Sequence, residues 1–119
     1  MKRKILSKAQ RREVYEKCGG HCAYCGCELK YEDMQIDHVR PLAWYGADEL
    51  WNMLPACRSC NHYKGSGTID SFRRMVEAIP HTLMRDSVTY KNGVRFGLIE
   101  PKPQKVVFYF EKMEGGGNA

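Results

Sequence analysis

Apolar positions spaced three or four residues apart predict two helices in this chain. Over residues 7–18, Ser7 and Gln10 form a capping-box pattern ahead of a loose apolar stripe. Over residues 68–79, apolar side chains return at helical spacing until Pro80 ends the pattern. The sequence therefore predicts one helix near the N-terminus and another in the second half of the chain.

Shorter apolar stretches predict strands elsewhere. Residues 34–39 and 52–54 predict two short strands, and a short helix is expected over residues 59–64. Alternation on both sides of Asn92-Gly93 predicts a β-hairpin over residues 87–99, because this dipeptide favours a type I′ turn. Residues 105–110 predict a further strand. The pattern as a whole is typical of an α+β protein.

Composition limits the classes of protein that remain. The length of 119 residues, with 43% hydrophobic and 28% charged residues, fits one soluble domain. No apolar run approaches the ~20 residues of a membrane span, and the charged start lacks the apolar stretch of a secretory signal. We therefore expect no membrane association. Six cysteines without a signal indicate a reducing, cytoplasmic setting, in which cysteine pairs more often bind metal than form disulfides.

Positive charge is concentrated at the N-terminus. The net charge is +5, and residues 1–17 hold seven Lys or Arg against two Glu, while the rest of the chain is balanced. Such a block suits a polyanion such as nucleic acid, and Lys8, Arg11 and Arg12 are the candidate contacts. A solubilising arm is the alternative, and the charge pattern alone fits both.

Four of the six cysteines form two CxxC pairs, Cys22 with Cys25 and Cys57 with Cys60, separated by 31 residues. Two such pairs can complete a tetrahedral zinc site with S–Zn distances near ~2.3 Å. Zinc ligation would also stabilise a middle segment that is poor in apolar residues. Two redox pairs, or thiols lying idle in the core, are the alternatives.

The remaining cysteines and one histidine need separate interpretations. Cys18 is expected to be a small buried hydrophobic residue of the first helix, and Cys27 a turn residue, with an exchange between Cys27 and Cys25 left open. His21 is adjacent to a predicted ligand and is a lesser candidate, because four sulfurs already complete the site.

Polar residues between and after the CxxC pairs complete a recognisable order. Asp37-His38 lies between the pairs, Asn52 precedes the second pair, and Asn61 and Lys64 follow it. This order, CxxC…DH…N…CxxCNxxK, resembles the HNH nuclease family in its zinc-stapled form. The resemblance rests on residue type, order and spacing. We therefore expect a single domain in three parts: a core over about residues 5–66, an extension over residues 67–112 and a flexible tail over residues 113–119.

The resemblance implies a ββα-metal fold and hydrolysis of phosphodiester bonds in DNA, with double-stranded DNA as the expected form. His38 matches the family's general base, and an imidazole can accept a proton from water near neutral pH. Asp37 and Asn61 match the ligands of one divalent cation, Mg²⁺ or Mn²⁺, which prefers oxygen donors. Asn52 matches the residue that braces the loop and orients His38. The setting would be bacterial or phage-encoded, with a homodimer as one way to cut two strands.

Each of these residues also has a plainer interpretation. Asp37 fits a polar strand end, Asn52 a turn and Asn61 a helix-capping residue. Adjacent strand residues point to opposite faces, so Asp37 and His38 can serve one site only if the strand bends or ends there. His62 and Lys64 are candidate phosphate contacts, with exposed surface positions as the alternative.

The aromatic residues near this motif are open to two interpretations. Trp51 is expected in the core, whereas Trp44 and Tyr45 fit either the core or stacking on bases. At the level of the whole protein, the alternative function is a non-catalytic, zinc-ribbon-like module that binds nucleic acid. That alternative explains the cysteines and the charge but leaves Asp37, His38 and Asn61 as coincidence.

Overall fold

The computed structural model describes residues 3–116. The described residues form two compact units. The first comprises residues 3–69 together with residues 107–116, and the second comprises Asp70–Val106. The predicted extension over 67–112 is therefore divided, because residues 107–112 return to the first unit.

Helix α1, Lys8–Glu16, opens the first unit and begins as the sequence predicts. The Ser7 hydroxyl accepts from the Gln10 amide at 3.1 Å, and the Gln10 side chain accepts from the Ser7 amide at 3.0 Å. These bonds satisfy two backbone donors that a helix start leaves free. The helix buries Val14 in a small core, whose other fully buried members are Leu29, Met34 and Met53.

A two-stranded antiparallel sheet carries the motif residues. Strand β1 is Gln35–His38 and strand β2 is Met53–Ala56, with Asp37 opposite Leu54 and His38 opposite Met53. Helix α2, Arg58–Lys64, follows β2 directly, so the order strand, strand, helix is the one that the resemblance implied. The α+β prediction with a ββα core is confirmed.

The second unit holds helices only, and the predicted hairpin is wrong. It contains α3, Ile69–Glu77 (whose first residue belongs to the first unit), α4, Ile79–Asp86, and α5, Val88–Arg95. Pro80 does not end the helical region, because it lies in the first turn of α4, where its missing N–H costs nothing.

The residues around Asn92-Gly93 lie inside α5 instead of forming a turn. The Ser87 hydroxyl caps this helix by accepting from the Tyr90 amide at 3.1 Å, and Gly97, with φ of +76°, follows its end. Gly93 lacks the positive φ that a type I′ turn requires. The cap at Ser87 and the left-handed glycine at 97 therefore define a helix over the stretch in which we predicted a hairpin.

The C-terminal segment also differs from its prediction. Residues 105–110 were expected as a strand, but residues 101–108 are irregular and helix α6, Tyr109–Gly116, begins within the stretch. The amide of Phe110 donates to the Ala23 carbonyl at 2.8 Å, which ties α6 to the first unit. Residues 113–116 of the predicted tail are helical, and residues 117–119 lie outside the described part. Within residues 3–116, no helix has the length and apolar character needed to cross a membrane.

Candidate active site

The two CxxC pairs come together in the fold. The four Sγ atoms of Cys22, Cys25, Cys57 and Cys60 all lie within 4.8 Å of one another. The first pair lies in the turn after α1, and Cys57 is the N-cap of α2, where its Sγ accepts from the Cys60 amide at 3.4 Å. Four thiol groups at this spacing fit one tetrahedral zinc ion.

A hydrogen bond within the cluster shifts the pKa values of two thiols in opposite directions. The hydrogen bond with Cys60 lowers the pKa of Cys22 to about 4, while the same contact raises the pKa of Cys60. Thiolates are the form that binds metal, and metal binding releases the protons of the thiols. The donor chemistry of the cluster therefore fits a structural metal ion.

The other candidate ligands lie outside the cluster. Cys18 is 1% exposed, and burial raises its pKa to about 11, as expected of a buried hydrophobic thiol. Cys27 is exposed and is not one of the four grouped sulfurs, so the exchange with Cys25 is not seen. The His21 ring stacks on Tyr109 with centroids 5.2 Å apart.

Asp37 is buried in a network that links it to both halves of the sulfur cluster. Its side chain is almost wholly enclosed, with 4% of the residue exposed. One oxygen accepts a hydrogen bond from the Tyr24 hydroxyl, and Lys64 Nζ lies 3.2 Å from that same oxygen and 3.3 Å from the other. Tyr24 lies inside the first CxxC pair, and Lys64 ends the helix that the second pair begins.

The predicted phosphate contact of Lys64 is at odds with this position. The residue is 3% exposed, and its ammonium group also donates to the His38 carbonyl at 3.1 Å. A buried ammonium needs a charged partner, and Asp37 supplies it. Lys64 therefore holds Asp37 and the end of β1 instead of facing solvent.

His38 is held by a carboxylate that sequence analysis missed. Its Nε2 lies 2.8 Å from Asp48 Oδ1, and the residue is 7% exposed. Asp48 also accepts from the Lys4 amide at 2.6 Å. The hydrogen bond with His38, followed by the one from Lys4, lowers the pKa of Asp48, so the carboxylate is ionised at neutral pH.

Asp37, His38 and Asn61 line one cleft of about 460 Å³. His62 and Arg3 line it too. Strand β1 ends at His38, so the two neighbouring side chains are not held to the strict alternation of a continuing strand. A carboxylate and an amide on the wall of one polar cleft fit the oxygen ligands of a hard divalent cation.

Asn52 lies behind this cleft and ties a loop together. Its Nδ2 donates to the carbonyls of Arg40 at 3.0 Å and Ala47 at 2.8 Å, while its Oδ1 accepts from the Arg40 amide at 3.0 Å. The Asn52 carbonyl accepts from the Val39 amide, directly after His38. The residue is 3% exposed and touches the loop, not the cleft.

The three predicted basic contacts of α1 have different surroundings. Arg11 is half-buried and donates to the carbonyls of Tyr31 at 3.0 Å and Met34 at 2.9 Å. Arg12 lies over the Tyr31 ring at 4.2 Å with half of its side chain exposed, and Lys8 is exposed. None of the three lines the cleft that contains Asp37.

Three residues at the site were not singled out from the sequence: Arg3, Tyr24 and Asp48. Tyr24 lies between the two cysteines of a CxxC pair, and the residues between such cysteines follow no pattern that indicates a role. Asp48 lies in the loop between the two strands, where an acidic residue has no special pattern. Arg3 was counted within the basic block, and its position in the cleft comes only from the fold.

Comparison with known proteins agrees with this geometry. A model of the HNH endonuclease family matches residues 22–67. The CRISPR-associated endonuclease Cas9 of Actinomyces naeslundii is 28% identical over 86 residues, which is 71% of this chain and 8% of that protein. The CRISPR-associated endonuclease Cas9 of Corynebacterium diphtheriae is 35% identical over 46 residues, which is 38% of this chain and 4% of that protein.

A solved structure resembles the fold over most of the chain. The crystal structure of the Type II-C Cas9 enzyme from Actinomyces naeslundii matches with a TM-score of 0.51 and 19% identity, covering 87% of this chain and 12% of that one. The chain therefore spans only a small part of the relatives it matches. The matched segment contains the four grouped cysteines together with Asp37, His38, Asn52 and Asn61. Residues 22–67 of this chain match the HNH endonuclease family model, and they contain the strand, strand, helix order of the ββα-metal fold.

Proposed function

We propose that this protein is a metal-dependent nuclease that hydrolyses phosphodiester bonds in DNA. The observation that carries the proposal is the single cleft lined by Asp37, His38 and Asn61, beside four grouped cysteines in an HNH domain. Cleavage of a phosphodiester needs an activated water and stabilisation of the charge that develops on the phosphate. The cleft offers a base for the first requirement and oxygen ligands for the second.

His38 acts as the general base in this proposal. When Nε2 carries the proton that bonds Asp48, Nδ1 keeps a lone pair and can accept a proton from water. The Asp48 carboxylate also stabilises the imidazolium that forms when His38 accepts that proton. Asp48 is therefore a positioning residue, and Asn52 supports it by fixing the loop that carries it.

Asp37 and Asn61 hold the catalytic divalent cation, Mg²⁺ or Mn²⁺, in this proposal. When bound, such a cation stabilises charge on the scissile phosphate and on the leaving oxygen. Tyr24 donates to one oxygen of the Asp37 carboxylate and Lys64 contacts both, and a carboxylate with about four acceptor sites can still accept a further ligand. The four cysteines hold a structural zinc ion that joins the turn after α1 to the start of α2.

Basic residues supply affinity for the backbone of the substrate. Arg3 and His62 line the cleft, and Lys8 and Arg12 lie on the exposed surface of α1. Contacts of this kind neutralise phosphates without reading sequence, so binding weakens as salt rises. In this proposal, Arg3 and His62 contact phosphate inside the cleft, while Lys8 and Arg12 attract the backbone from the surface of α1.

The test is a DNA cleavage assay with added Mg²⁺ or Mn²⁺, accompanied by measurement of bound zinc. We expect the zinc-loaded protein to cut plasmid only with the added cation, and Asn61→Ala to weaken Mn²⁺ binding and cleavage while zinc content stays unchanged. Asn92→Ala, an exposed asparagine of α5, is the matched control and should behave as the parent protein. Salt-sensitive DNA binding without cleavage under any divalent cation would instead support the non-catalytic module.

A further inference from the structure

Three large aromatic side chains lie exposed in the loop between the two strands. Trp44 is 59% exposed, Tyr45 is 90% exposed and Trp51, predicted to lie in the core, is 75% exposed. A small unit with few buried apolar residues would gain stability by burying them, since each carries roughly 150–250 Å² of surface. Their exposure together therefore points to a binding role.

The loop that carries these rings, residues 40–52, is fixed in shape. Asn52 makes three side-chain hydrogen bonds across its base, and the Gly46 amide donates to the Pro41 carbonyl at 3.0 Å. A side chain at Gly46 would place its Cβ 1.8 Å from the Arg40 carbonyl oxygen, so the crossing of the chain here depends on glycine. A loop that is already ordered loses little conformational freedom when it binds.

The same loop forms part of the wall of the catalytic cleft. Pro41, Leu42 and Ala43 line the cleft, and Trp44 is the next residue along the chain. The Arg40 guanidinium donates to the Trp44 carbonyl at 2.8 Å, which holds the turn at this point. A strand whose phosphate occupied the cleft would thus have neighbouring nucleotides close to the part of the loop that carries Trp44.

We propose that this aromatic loop stacks on unpaired bases of the substrate, so that the site prefers DNA with single-stranded character next to the cut. The inference rests on the proposed nuclease function. Bases within a duplex cover each other's faces, whereas unpaired bases expose faces on which aromatic side chains stack. Double-stranded DNA, the form expected from the sequence, would then be cut best where its bases are unpaired.

Tryptophan fluorescence provides a direct test, because both tryptophans of the chain lie in this loop. An oligothymidylate of about 12 nucleotides is titrated into the zinc-loaded protein without added divalent cation, alongside a blunt duplex of equal length. We expect quenching and tighter binding with the single strand. Trp44→Ala should weaken single-strand binding about tenfold, with little change for the duplex, and Trp44→Phe should restore most of the loss.

Phe96→Ala is the matched control, because Phe96 is a 79% exposed aromatic residue of the second unit. Its affinity for both probes should equal that of the parent protein. Unchanged single-strand binding by Trp44→Ala, or an equal loss for strand and duplex, would overturn the stacking proposal. Because binding is measured without the catalytic cation, this result is independent of whether the protein cleaves DNA.

Discussion

The two units of this chain are organised by different interactions. In the first unit, the sulfurs of two CxxC pairs that are far apart in sequence lie close together. The Asp37 carboxylate accepts hydrogen bonds from both Tyr24 and Lys64. In the second unit, residues 70–106, the Ser87 side chain caps α5, and two side chains of α3 form hydrogen bonds with the backbone of Val106. Within that range only Phe72 is almost wholly buried, with 2% exposed.

This difference predicts that a bound metal ion stabilises the first unit but not the second. The first unit has a small apolar core and a group of four thiols that could hold a metal ion, so we expect its order to depend on that ion. We expect no such dependence in the second unit, because residues 70–106 contain no cysteine. Loss of metal should therefore affect the two units unequally.

Zinc removal should give the largest effect. Structural zinc contributes on the order of 10 kcal/mol of binding free energy in small domains, so its loss should unfold the first unit. Hydrogen exchange after chelation, or in Cys60→Ser, should show lost protection over residues 22–67 and retained protection over residues 79–95. Cys27→Ser, at an exposed cysteine outside the cluster, is the control. Equal loss of protection in both units would contradict the prediction that only the first unit depends on zinc.

Tyr24→Phe should weaken binding of the catalytic cation while leaving zinc in place. The change removes the hydroxyl that donates to Asp37 and keeps the ring that packs edge-on against Phe108. Partners of this kind typically change metal affinity by about tenfold or more. Mn²⁺ binding isotherms should show the weaker affinity, and a high Mg²⁺ concentration should restore the cleavage rate. Tyr90→Phe serves as control, and an unchanged Mn²⁺ affinity would exclude a positioning role for Tyr24.

Glu77→Ala should have the smallest effect and confine it to the second unit. Glu77 accepts from the Val106 amide at 2.8 Å, and Arg73 donates to the Val106 carbonyl at 2.8 Å, so these two side chains of α3 hold the end of the unit. Loss of one charge-assisted bond should lower the free energy of unfolding by about 1.5–3 kcal/mol. Urea unfolding followed at the second unit measures this change, with exposed Glu100→Ala as comparison. A change in zinc content would contradict the prediction that the effect of Glu77→Ala is limited to the second unit.

Sequence predicted the first unit well where the signal was chemical and local. The capping box at Ser7 and the two CxxC pairs are short patterns with few structural interpretations. The contacts of Tyr24 and Lys64 with Asp37 could not be predicted, because they join residues 13 and 27 positions apart through the fold. A lysine is assumed to be exposed unless a buried partner is known.

Sequence predicted the second unit less well because its signals are ambiguous. Alternation around Asn92-Gly93 fits a hairpin, yet the serine cap at Ser87 and Gly97 define a helix there. Trp51 in the first unit was also predicted wrongly. Its hydrophobic character predicts burial, yet the residue is 75% exposed. In both cases a residue type was informative only together with its neighbours in the fold.

The most direct test of the central claim is the single-turnover cleavage rate of His38→Ala at saturating Mg²⁺. His81→Ala, an exposed histidine of the second unit, is the matched control. We expect a rate lower by a factor of about 10² to 10⁴ for His38→Ala, with zinc content and DNA affinity retained and the control unaffected. A His38→Ala protein that cleaves at the parent rate would contradict the assignment of this cleft as the active site.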